Sequence, residues 1–501
     1  SCSRPSSTTE FRPPPPNPEA FHLTSTAKSM KTTSELARKF NLELTGSPEV
    51  EIVSVAMDSS QVTPGCLFIA VQGAKSHGLD YLDQAVANGA VAVLSDREVA
   101  AELPSLRHSD PRAIAGQVAA EVCGTADLGL RVFGVTGTNG KTSTSFYLQQ
   151  LLQGMGVGTG LSTSASTNFE DHQFESHLTT PEAPRLHWLA AETAKLGAQA
   201  LVIEVSAQAL ARHRVDGMHF EVAGFTNLSR DHLDDFGSMD DYLSAKRELF
   251  TNKFSDSAVI SVEDDFAKQL LESLEIAGVG IGDGLQYQLQ KTDHGLKITG
   301  KQNLELNLEI GPLMAKNLAL AVIMLLEAGF DARELTTAAE AMEIQVPGRL
   351  ELVGPGLPHV YVDYAHTPAA IDAAGRELKS KYPELTIVFG ASGDRDPGKR
   401  SEMAVAAAKY GDILVVTDQH PRSEDPALIR KTLLDAALQQ ANSDRIFEVA
   451  DPAEAIAKAV NITASGGAIL WCGPGHLTYR EVMGQKLPFD AIAVARKALE
   501  S

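Results

Sequence analysis

The chain has 501 residues, 43% of them hydrophobic, and carries a formal net charge of −21 at pH 7. That length exceeds one ordinary domain and predicts about two to four. The acidic balance argues against a nucleic-acid backbone as a partner, since such a partner needs a basic face. It still permits anionic nucleotides to bind at local sites.

The cysteines and the apolar runs narrow the class of protein further. Cys2, Cys66, Cys123 and Cys472 lie far apart and form no CxxC pair, so neither a zinc site nor a disulfide framework is indicated and a reducing cytoplasm is expected. No stretch of about eighteen apolar residues occurs, so no membrane span is predicted. Residues 1–29, rich in Ser, Thr and Pro, are predicted to be a disordered tail, with a transit peptide as the alternative.

Residues 30–128 have the pattern of a small α/β domain. Helical spacing of apolar residues and short β-branched runs alternate along it. The predicted helices cover 34–40 and 82–88, and the predicted strands cover 51–56, 66–71 and 90–94.

The second region opens with a strand, a glycine-rich turn and a helix start. Residues 131–136 are largely apolar and β-branched, as in a buried strand. Gly134, Gly137 and Gly140 break this pattern, and a long helix pattern begins at Lys141.

This order of elements predicts a phosphate-binding loop. Backbone N–H groups converge on an anion, the helix N-terminus adds partial positive charge, and Lys141 reaches the outer phosphates while Thr142 or Ser143 offers a hydroxyl to magnesium. Five residues, where the usual motif has four, separate Gly134 from Gly140, so the match is a variant. A glycine turn that binds nothing is the alternative.

The second region is predicted to span 129–347 and the third 348–501. Alternation of strands and helices in both predicts mostly parallel sheets covered on both faces, and the third region is predicted to be Rossmann-like. The predicted strands cover 200–204, 222–226, 360–363, 385–389, 413–416 and 468–471; helices cover 184–196, 241–250 and 316–328; residues 285–308 alternate as in an antiparallel patch.

Two polar side chains near the predicted strand ends are candidate metal ligands. Glu204 ends an apolar strand, where an acid can bind magnesium or merely cap a helix start. His232 lies in the polar run 226–234 and could hold a second magnesium, although a lone histidine is more often structural. Lys246 lies one helix further on, where a lysine is ordinarily solvated.

Six motifs follow one another in the order seen in the Mur ligases of peptidoglycan synthesis, and the chain resembles that family from about residue 30 to its C-terminus. They read Gly137-Thr-Asn-Gly-Lys-Thr-Ser143, Glu204-Val-Ser206, Thr226-Asn-Leu-Ser-Arg-Asp-His-Leu-Asp234 with Ala245-Lys246, Pro347-Gly-Arg349, Val362-Asp-Tyr-Ala-His366 and Gly393-Asp-Arg-Asp396. The resemblance implies an α/β fold of three domains: a small N-terminal domain, a central P-loop ATPase-like domain and a C-terminal Rossmann-like domain.

The resemblance also implies an ATP- and Mg²⁺-dependent ligase of class EC 6.3.2, active in the cytoplasm as a monomer. The patterns Met57-Asp-Ser59, Pro64-Gly-Cys-Leu-Phe-Ile-Ala-Val71 and 73–78 resemble the family member that adds the third residue of the stem peptide. Its substrates would be UDP-N-acetylmuramoyl-L-alanyl-D-glutamate and a diamino acid: L-lysine, ornithine or meso-diaminopimelate. An acyl phosphate would be the intermediate.

Carried over residue by residue, the family motifs imply four sets of site residues. Those implied to be catalytic or to bind metal are Lys141, Thr142, Glu204, His232 and Lys246, the last as a carbamylated lysine. Those implied to bind ATP are Gly137, Thr138, Asn139, Gly140, Lys141, Thr142, Ser143, Asn317, Arg349 and Asp363. Those implied to contact the UDP-linked dipeptide are Met57, Ser59, Ala74, Lys75, Ser76, Thr179, Thr180, Ser206, Arg212 and Arg214. Those implied to bind the incoming amino acid are Arg395, His420, Arg422, Gly473 and Leu477.

The amino-acid residues depart from the pattern of diaminopimelate-specific members. Those have Asp-Asn-Pro-Arg and Gly-x-Gly-His-Glu, whereas this chain has Gln419-His-Pro-Arg422 and Gly473-Pro-Gly-His-Leu477. Leucine cannot receive an ammonium group. We therefore hypothesise that meso-diaminopimelate need not be the substrate and that L-lysine or ornithine deserves equal weight, although the retained Arg422 argues for a distal carboxylate. Gln208, where the family often has histidine, is a second departure.

Other functions remain as alternatives. The ligase that completes the stem peptide, MurF, and folylpolyglutamate synthetase would share the phosphate loop and the metal residues. A non-catalytic scaffold with the same fold is an alternative from a different class.

Overall fold

The computed structural model describes residues 30–73, 75–99, 102–176 and 178–500. The predicted tail, residues 1–29, and the predicted site residue Ala74 lie outside the described residues. Among the described residues, no helix combines the length and apolar character that a bilayer crossing needs.

The first region is built around a five-stranded sheet of order β2-β7-β6-β5-β4, beside a small two-stranded sheet of β1 and β3. Separate apolar clusters cover the two faces of the five-stranded sheet. The strands are β1 (Lys31–Thr32), β2 (Glu43–Thr45), β3 (Glu51–Ile52), β4 (Ser54–Ala56), β5 (Cys66–Ala70), β6 (Ala90–Ser95) and β7 (Ser105–Arg107), and the helices are α1 (Thr33–Phe40), α2 (Leu82–Ala87) and α3 (Pro111–Cys123).

The single strand predicted over 51–56 is wrong. It breaks at Val53, whose N–H donates to the carbonyl oxygen of Gly65 at 3.0 Å. The halves join different sheets, because β3 pairs with β1 whereas β4 pairs with β5. Propensity alone cannot locate such a break, since the β-branched Ile52, Val53 and Val55 favour a strand at the break and on both sides of it.

The second region holds an eleven-stranded mixed sheet of order β11-β10-β9-β12-β8-β13-β14-β15-β16-β17-β18. Its parallel centre carries helices and apolar clusters on both faces, as predicted. The strands are β8 (Arg131–Thr136), β9 (Thr159–Ser162), β10 (Thr167–Phe169), β11 (His172–Gln173), β12 (Ala200–Glu204), β13 (Phe220–Phe225), β14 (Ser255–Ser261), β15 (Ala277–Ile281), β16 (Tyr287–Thr292), β17 (Gly295–Gly300) and β18 (Leu304–Asn307). The helices are α4 (Lys141–Gly154), α5 (Ala183–Lys195), α6 (Ala207–Ala211), α7 (Leu233–Phe236), α8 (Met239–Arg247), α9 (Asp265–Glu272), α10 (Pro312–Glu327) and α11 (Ala332–Ala341).

The antiparallel patch predicted over 285–308 is confirmed: β16, β17 and β18 pair antiparallel at one edge of this sheet. Gly134, by contrast, does not belong to the glycine turn. It lies inside β8, where a Cβ atom would come within 2.8 Å of the Phe220 ring. The glycines of the phosphate loop are therefore Gly137 and Gly140. Gly134 instead allows the close packing of the sheet against Phe220.

The third region holds a six-stranded sheet of order β19-β20-β24-β21-β22-β23, with an apolar cluster on each face. Its centre is parallel, as predicted. The strands are β19 (Glu351–Leu352), β20 (His359–Asp363), β21 (Leu385–Phe389), β22 (Ile413–Val416), β23 (Ile446–Glu448) and β24 (Ala468–Cys472), followed by the separate hairpin of β25 (Tyr479–Val482) and β26 (Gln485–Pro488). The helices are α12 (Pro368–Lys381), α13 (Lys399–Tyr410), α14 (Pro426–Leu438), α15 (Pro452–Ile462) and α16 (Ala491–Glu500).

Candidate active site

The loop between β8 and α4 is a close-fitting backbone cradle. Gly137 and Gly140 have φ angles of 140° and 85°, in the region that glycine adopts most readily. A Cβ at Gly137 would lie 1.9 Å from Thr226 Oγ1, and one at Gly140 would lie 2.3 Å from Asn317 Oδ1. Both glycines are thus required by conformation and by space, and the loop opens directly onto the N-terminus of α4.

Lys141, the first residue of α4, folds back over this loop. Its ammonium donates to the carbonyl oxygens of Thr138 at 2.9 Å and Gly137 at 3.2 Å, and lies 3.9 Å from Glu204 Oε1. Burial lowers the pKa of Lys141, although the nearby Glu204 and Asp231 carboxylates oppose that shift. The side chain therefore places a flexible cation where the loop N–H groups and the helix end gather an anion.

Glu204, at the end of β12, faces the same helix end and is almost fully buried. Its Oε2 accepts from Thr142 Oγ1 at 2.9 Å and from the backbone N–H of Ser164 at 3.1 Å. Two oxygen ligands, one hydroxyl and one carboxylate, thus lie side by side where a hard cation would meet a nucleotide phosphate.

Lys246, on α8, lies with its side chain only 1% exposed. Its ammonium donates to the Gly137 carbonyl oxygen at 2.7 Å and lies 4.3 Å from the centre of the Tyr242 ring. Burial, reinforced by the Lys141 charge, lowers the pKa of Lys246 well below its usual value. This amine is accordingly easier to deprotonate than the amine of a surface lysine. The solvated position that is ordinary for a helix lysine is thus wrong for Lys246.

Asp231 links the second and third regions through a buried charge cluster. Lys399 Nζ lies 2.9 Å from Asp231 Oδ1, and His366 Nε2 lies 3.5 Å from Oδ2. Burial opposes the Asp231 charge, but the hydrogen bond and charge of His366 and the charge of Lys399 outweigh it, and the pKa of Asp231 is lowered well below its usual value. His232, 3.4 Å from the same carboxylate, has its pKa lowered to about 4 by burial, so its imidazole is neutral at pH 7.

Arg349 makes a second link between the regions. One guanidinium nitrogen donates to Thr142 Oγ1 at 3.0 Å, and the group lies 4.7 Å from the centre of the Tyr364 ring. Asp363 supports this loop because its carboxylate accepts from the N–H groups of Leu350 and Ala365, both at 2.6 Å. Arg349 therefore lies over the helix end that Lys141 begins.

One cavity of about 880 Å³ brings most of the predicted site residues together. It lies between the second and third regions and is lined by polar and charged side chains of both. The predicted residues that line it are Thr138, Asn139, Gly140, Lys141, Thr142, Ser143, Thr179, Glu204, Ser206, Arg212, Arg214, His232, Lys246, Asn317, Arg349, Asp363, Arg395, His420, Arg422 and Leu477.

Three predicted residues of these regions do not line the cavity: Gly137, which belongs to the phosphate loop described above, and Thr180 and Gly473, which lie in the framework behind it. Thr180 is buried, and its hydroxyl donates to the Glu204 carbonyl oxygen at 2.8 Å and accepts from the Ser206 N–H at 3.1 Å. Gly473 has a φ of 113°, and a Cβ there would lie 2.4 Å from the Gln419 amide. In this structure Thr180 and Gly473 hold cavity-lining segments in place.

The predicted residues of the first region, Met57, Ser59, Lys75 and Ser76, do not line this cavity. Ser59 is buried, and its hydroxyl donates to Gln84 Oε1 at 2.8 Å. Ser76 Oγ lies 3.1 Å from the Tyr81 hydroxyl, and Lys75 is exposed. Their assignment to the UDP group stays a prediction.

The amino-acid residues form one wall of the cavity beside the hairpin of β25 and β26. The His420 Nδ1 atom accepts from the Glu481 N–H at 3.0 Å, and burial lowers the pKa of His420 to about 4. The Arg422 N–H donates to the Glu481 carbonyl oxygen at 3.1 Å, and Arg422 Nε lies 3.2 Å from Glu481 Oε2. His420, which replaces the expected asparagine, thus holds the strand that carries Glu481.

Sequence reasoning missed several residues that shape this site. Ser164 holds Glu204, Lys399 holds Asp231, and Glu481 pairs with Arg422. Ser164 and Glu481 lie in loop and hairpin segments with no motif spacing, and Lys399 follows the Gly393–Asp396 motif at an ordinary helix start. The sequence signal was their charge or hydroxyl group alone, which many surface residues share.

Family profiles match all three regions in order. Residues 51–125 match the Mur ligase family catalytic domain, residues 135–325 the Mur ligase middle domain, and residues 348–475 the Mur ligase glutamate ligase domain. The UDP-N-acetylmuramyl-tripeptide synthetase of Leifsonia xyli subsp. xyli is 40% identical over 93% of this chain and 95% of its own length. The chain belongs to the Mur ligase family.

Mur ligases of other bacteria extend this similarity. The UDP-N-acetylmuramoyl-L-alanyl-D-glutamate–2,6-diaminopimelate ligase of Streptomyces coelicolor is 35% identical over 97% of this chain and 99% of its own length. That of Aquifex aeolicus is 35% identical over 89% of this chain and 94% of its own length. As a member of this family of ATP-dependent ligases, the chain is an enzyme, which removes the scaffold alternative.

Solved Mur ligase structures have the same fold. A structure titled UDP-N-acetylmuramoyl-L-alanyl-D-glutamate–2,6-diaminopimelate ligase aligns with a TM-score of 0.64 and 27% identity, covering 94% of this chain and 99% of that one. A MurF structure from Acinetobacter baumannii aligns with a TM-score of 0.70 at 19% identity, covering 94% and 99% of the two chains. The second likeness concerns the fold alone. The three-domain α/β Mur ligase fold predicted from the motifs is confirmed.

Proposed function

We propose that this Mur ligase joins a diamino acid to UDP-N-acetylmuramoyl-L-alanyl-D-glutamate, with cleavage of ATP to ADP and phosphate. The observation that carries the proposal is the meeting, in one cavity, of the phosphate loop with Glu204 and of Arg395 and Arg422 from the third region. A site for a phosphorylating nucleotide and a cationic site for a carboxylate-bearing amino acid thus face each other. The names of the relatives from Leifsonia and Streptomyces support the same reaction.

A carboxylate is a poor electrophile, and the proposed reaction activates it by phosphorylation. A glutamate carboxylate oxygen of the dipeptide attacks the terminal phosphorus of ATP, the bond to the bridging oxygen breaks, and ADP leaves. The incoming amine then attacks the acyl phosphate, loses a proton and expels inorganic phosphate, leaving an amide. Because no protein group is consumed, this chain contributes by positioning and by neutralising charge.

The phosphate loop residues carry most of that positioning in this proposal. Lys141 exchanges its loop carbonyl partners for the terminal phosphate oxygens, and Arg349 meets them from the third region. Asn317 lies against Gly140 and keeps the loop closed on its far side. All the remaining predicted ATP contacts, Asp363 excepted, lie on the loop and the first turn of α4.

The Thr142 hydroxyl and the Glu204 carboxylate fit a magnesium ion, since both are oxygen ligands, are 2.9 Å apart and lie at the phosphate loop. Bound there, magnesium would neutralise the phosphate charge that builds up during transfer. Among the described residues, no group of three or more His, Cys, Asp or Glu side chains could hold a metal. Two protein ligands with phosphate oxygens suit magnesium, which ordinarily keeps part of its shell from substrate and water.

Lys246 and His232 would hold a second magnesium only after Lys246 changes its charge. The Lys246 ammonium would first lose one proton, and the neutral amine would then add to carbon dioxide, forming an N–C bond and releasing a second proton, so that a carbamate replaces an ammonium. Burial favours this reaction because it lowers the pKa of Lys246 and so makes the ammonium proton easier to lose. Thr142, Glu204, His232 and carbamylated Lys246 are the proposed metal ligands.

The dipeptide side of the cavity is proposed to be the segment with Thr179, Ser206, Arg212 and Arg214. Arg214 is largely buried and pairs with Glu182 at 3.1 Å, whereas Arg212 is exposed and 3.7 Å from Asp235. Arg212 thus has donors available for a carboxylate or phosphate oxygen. Since ATP and UDP-linked precursors are intracellular metabolites, we propose that the chain works in the cytoplasm. We also propose that it works as a monomer.

The test is ADP release by the purified full chain with ATP, Mg²⁺, the UDP-linked dipeptide and each of L-lysine, ornithine and meso-diaminopimelate. ADP and a lengthened UDP-linked product must appear together and must require both co-substrates. Turnover with a UDP-linked tripeptide and a D-alanyl dipeptide would identify the MurF reaction instead, and turnover with a folate and glutamate would identify the folylpolyglutamate reaction.

A further inference from the structure

We infer that Glu481 is the residue that selects a diamino acid, by receiving the ammonium group at the far end of its side chain. The inference rests on the proposed ligase reaction and adds to it a specificity residue. The family resemblance implies a glutamate at the position of Leu477 in diaminopimelate-specific members, and an apolar side chain cannot receive a cation.

Glu481 supplies the missing charge from a different position in the chain. Within residues 377–500, all of which the structure describes, it is the only acidic side chain that lines the cavity. It shares this wall with Arg422, His420 and Leu477, which were assigned to the amino acid, and with Tyr479, two residues before it on the same face of β25. The negative charge on this wall is therefore concentrated in one carboxylate.

The backbone around Glu481 holds it firmly. Its N–H donates to His420 Nδ1 at 3.0 Å, its carbonyl oxygen accepts from the Arg422 N–H at 3.1 Å, and Arg480 beside it donates to the Gln419 carbonyl oxygen at 2.9 Å. Arg422 has a left-handed φ of 53°, a conformation that this network keeps in place. A carboxylate fixed in this way loses little freedom when it binds a ligand.

Arg422 is an ion-pair partner of Glu481 and still leaves the carboxylate able to bind an ammonium group. Arg422 Nε lies 3.2 Å from Glu481 Oε2, close enough for an ion pair. The same Nε atom is buried and makes no hydrogen bond to any of the described residues. A carboxylate accepts several hydrogen bonds and a guanidinium donates five, so each partner can take a further ligand. The two opposite charges side by side also match a zwitterionic end, with the ammonium on Glu481 and the carboxylate on Arg422. Leu477 therefore gives no reason to exclude meso-diaminopimelate.

The lysines on this wall, Lys399 and Lys486, cannot take the place of the Glu481 carboxylate. Lys399 is committed to Asp231, and Lys486, opposite Glu481 in the hairpin, lies 4.6 Å from the centre of the Tyr479 ring. Both would repel an incoming ammonium in the absence of the carboxylate. Neutralising Glu481 should thus turn an attractive wall into a repulsive one for lysine, and leave it open to an uncharged side chain.

The test compares L-lysine with L-norleucine, which has a methyl group in place of the terminal aminomethyl group. With saturating ATP, Mg²⁺ and UDP-linked dipeptide, kcat/KM is measured for both amino acids on the full chain, on Glu481→Gln and on the control Asp435→Asn, an exposed acid of the same region. Glu481→Gln should lower the lysine-to-norleucine ratio roughly 10- to 100-fold, the effect of losing a charged hydrogen bond. The ratio should not change in Asp435→Asn, and meso-diaminopimelate measured in place of lysine should behave as lysine does.

A second variant keeps the inference falsifiable if the first is inactive. Glu481→Lys should prefer L-2-aminoadipate, which ends in a carboxylate, to L-lysine. Equal losses with lysine and norleucine in Glu481→Gln, or an unchanged preference in Glu481→Lys, would overturn the assignment. A wild-type chain that makes no ADP with any amino acid would overturn the proposed ligase reaction itself, and that outcome is visible before any variant is made.

Discussion

The Lys246 ammonium donates to the Gly137 carbonyl oxygen at 2.7 Å, although its side chain is almost wholly buried. The phosphate loop and helix α8 are thereby joined by a group whose charge is costly at that depth. The same amine is proposed to become a carbamate. It can therefore support the loop as an ammonium and a metal as a carboxylate.

Replacement of Lys246 by alanine should abolish ligation, a loss of about 100-fold or more in kcat, because both the loop contact and the proposed metal ligand disappear. Formate or acetate should restore part of the activity, since a small carboxylate can occupy the place of the carbamate. Phosphate release measured against acid concentration checks this. Lys268→Ala, at an exposed lysine of α9, should keep full activity. Failure of every small acid to rescue would count against the carbamate but not against ligation.

Glu204→Gln should raise the Mg²⁺ concentration needed for half-maximal activity about 10-fold or more, because an amide oxygen carries no charge for the cation. The Thr142 and Ser164 donors can still bond to that oxygen, so the fold should be kept. Activity titrated with Mg²⁺ at fixed ATP gives the result. An unchanged midpoint would mean that Glu204 does not ligate magnesium.

Arg349→Lys should lower kcat/KM for ATP about 10- to 100-fold, through a higher KM, a lower kcat or both. Lysine keeps the positive charge but lacks the planar guanidinium that lies against Tyr364 and reaches Thr142. Initial rates at varied ATP measure it. Arg333→Lys, at an exposed position of α11, provides the matched control and should match the wild type. Equal rates in both variants would place Arg349 outside the nucleotide site.

Much of this arrangement could be predicted from the sequence. The loop glycines and Lys141 could be predicted because phosphate loops need those residue types at a fixed spacing, and Glu204 because it ends an apolar strand. Strands such as 200–204 and 385–389 could be predicted because all but one of the residues in each are apolar. The break at Val53 and the role of Glu481 could not be predicted, since both depend on partners far away in the chain. From the sequence, His420 is only a substitution for the expected asparagine. That its ring nitrogen accepts a hydrogen bond from the Glu481 N–H could be seen only in the structure.

Asp231→Asn should loosen the third region from the second, because Lys399 would be left buried without its charge partner. Removing one member of a buried pair costs about 3–5 kcal/mol. We expect a lower first transition in thermal unfolding and a larger radius of gyration by solution scattering. Asp231→Asn combined with Lys399→Met should recover part of the loss, and an unchanged scattering profile in the single variant would show that the pair does not hold the regions together.

His187 should make the protein less stable in mild acid. Its ring is buried between Thr125 Oγ1, at 2.8 Å from Nδ1, and the Asp216 carbonyl oxygen, at 2.9 Å from Nε2, and burial lowers its pKa to about 4. The unfolded chain therefore binds a proton below its own pKa of about 6.5 while the folded chain does not, so stability falls as pH drops from about 6.5 towards 4, by up to roughly 3 kcal/mol. The wild-type transition temperature should fall more steeply over this range than that of His187→Gln; parallel curves would contradict the assignment.

The most direct measurement follows both products of one reaction on the intact chain. Given ATP, Mg²⁺, the UDP-linked dipeptide and a diamino acid, the wild type should form ADP and lengthened UDP-linked peptide in equal amounts, and Lys141→Ala should form neither. ADP that accumulates without the peptide, or peptide that still forms in Lys141→Ala, would contradict the transfer of a phosphoryl group from the loop to the dipeptide.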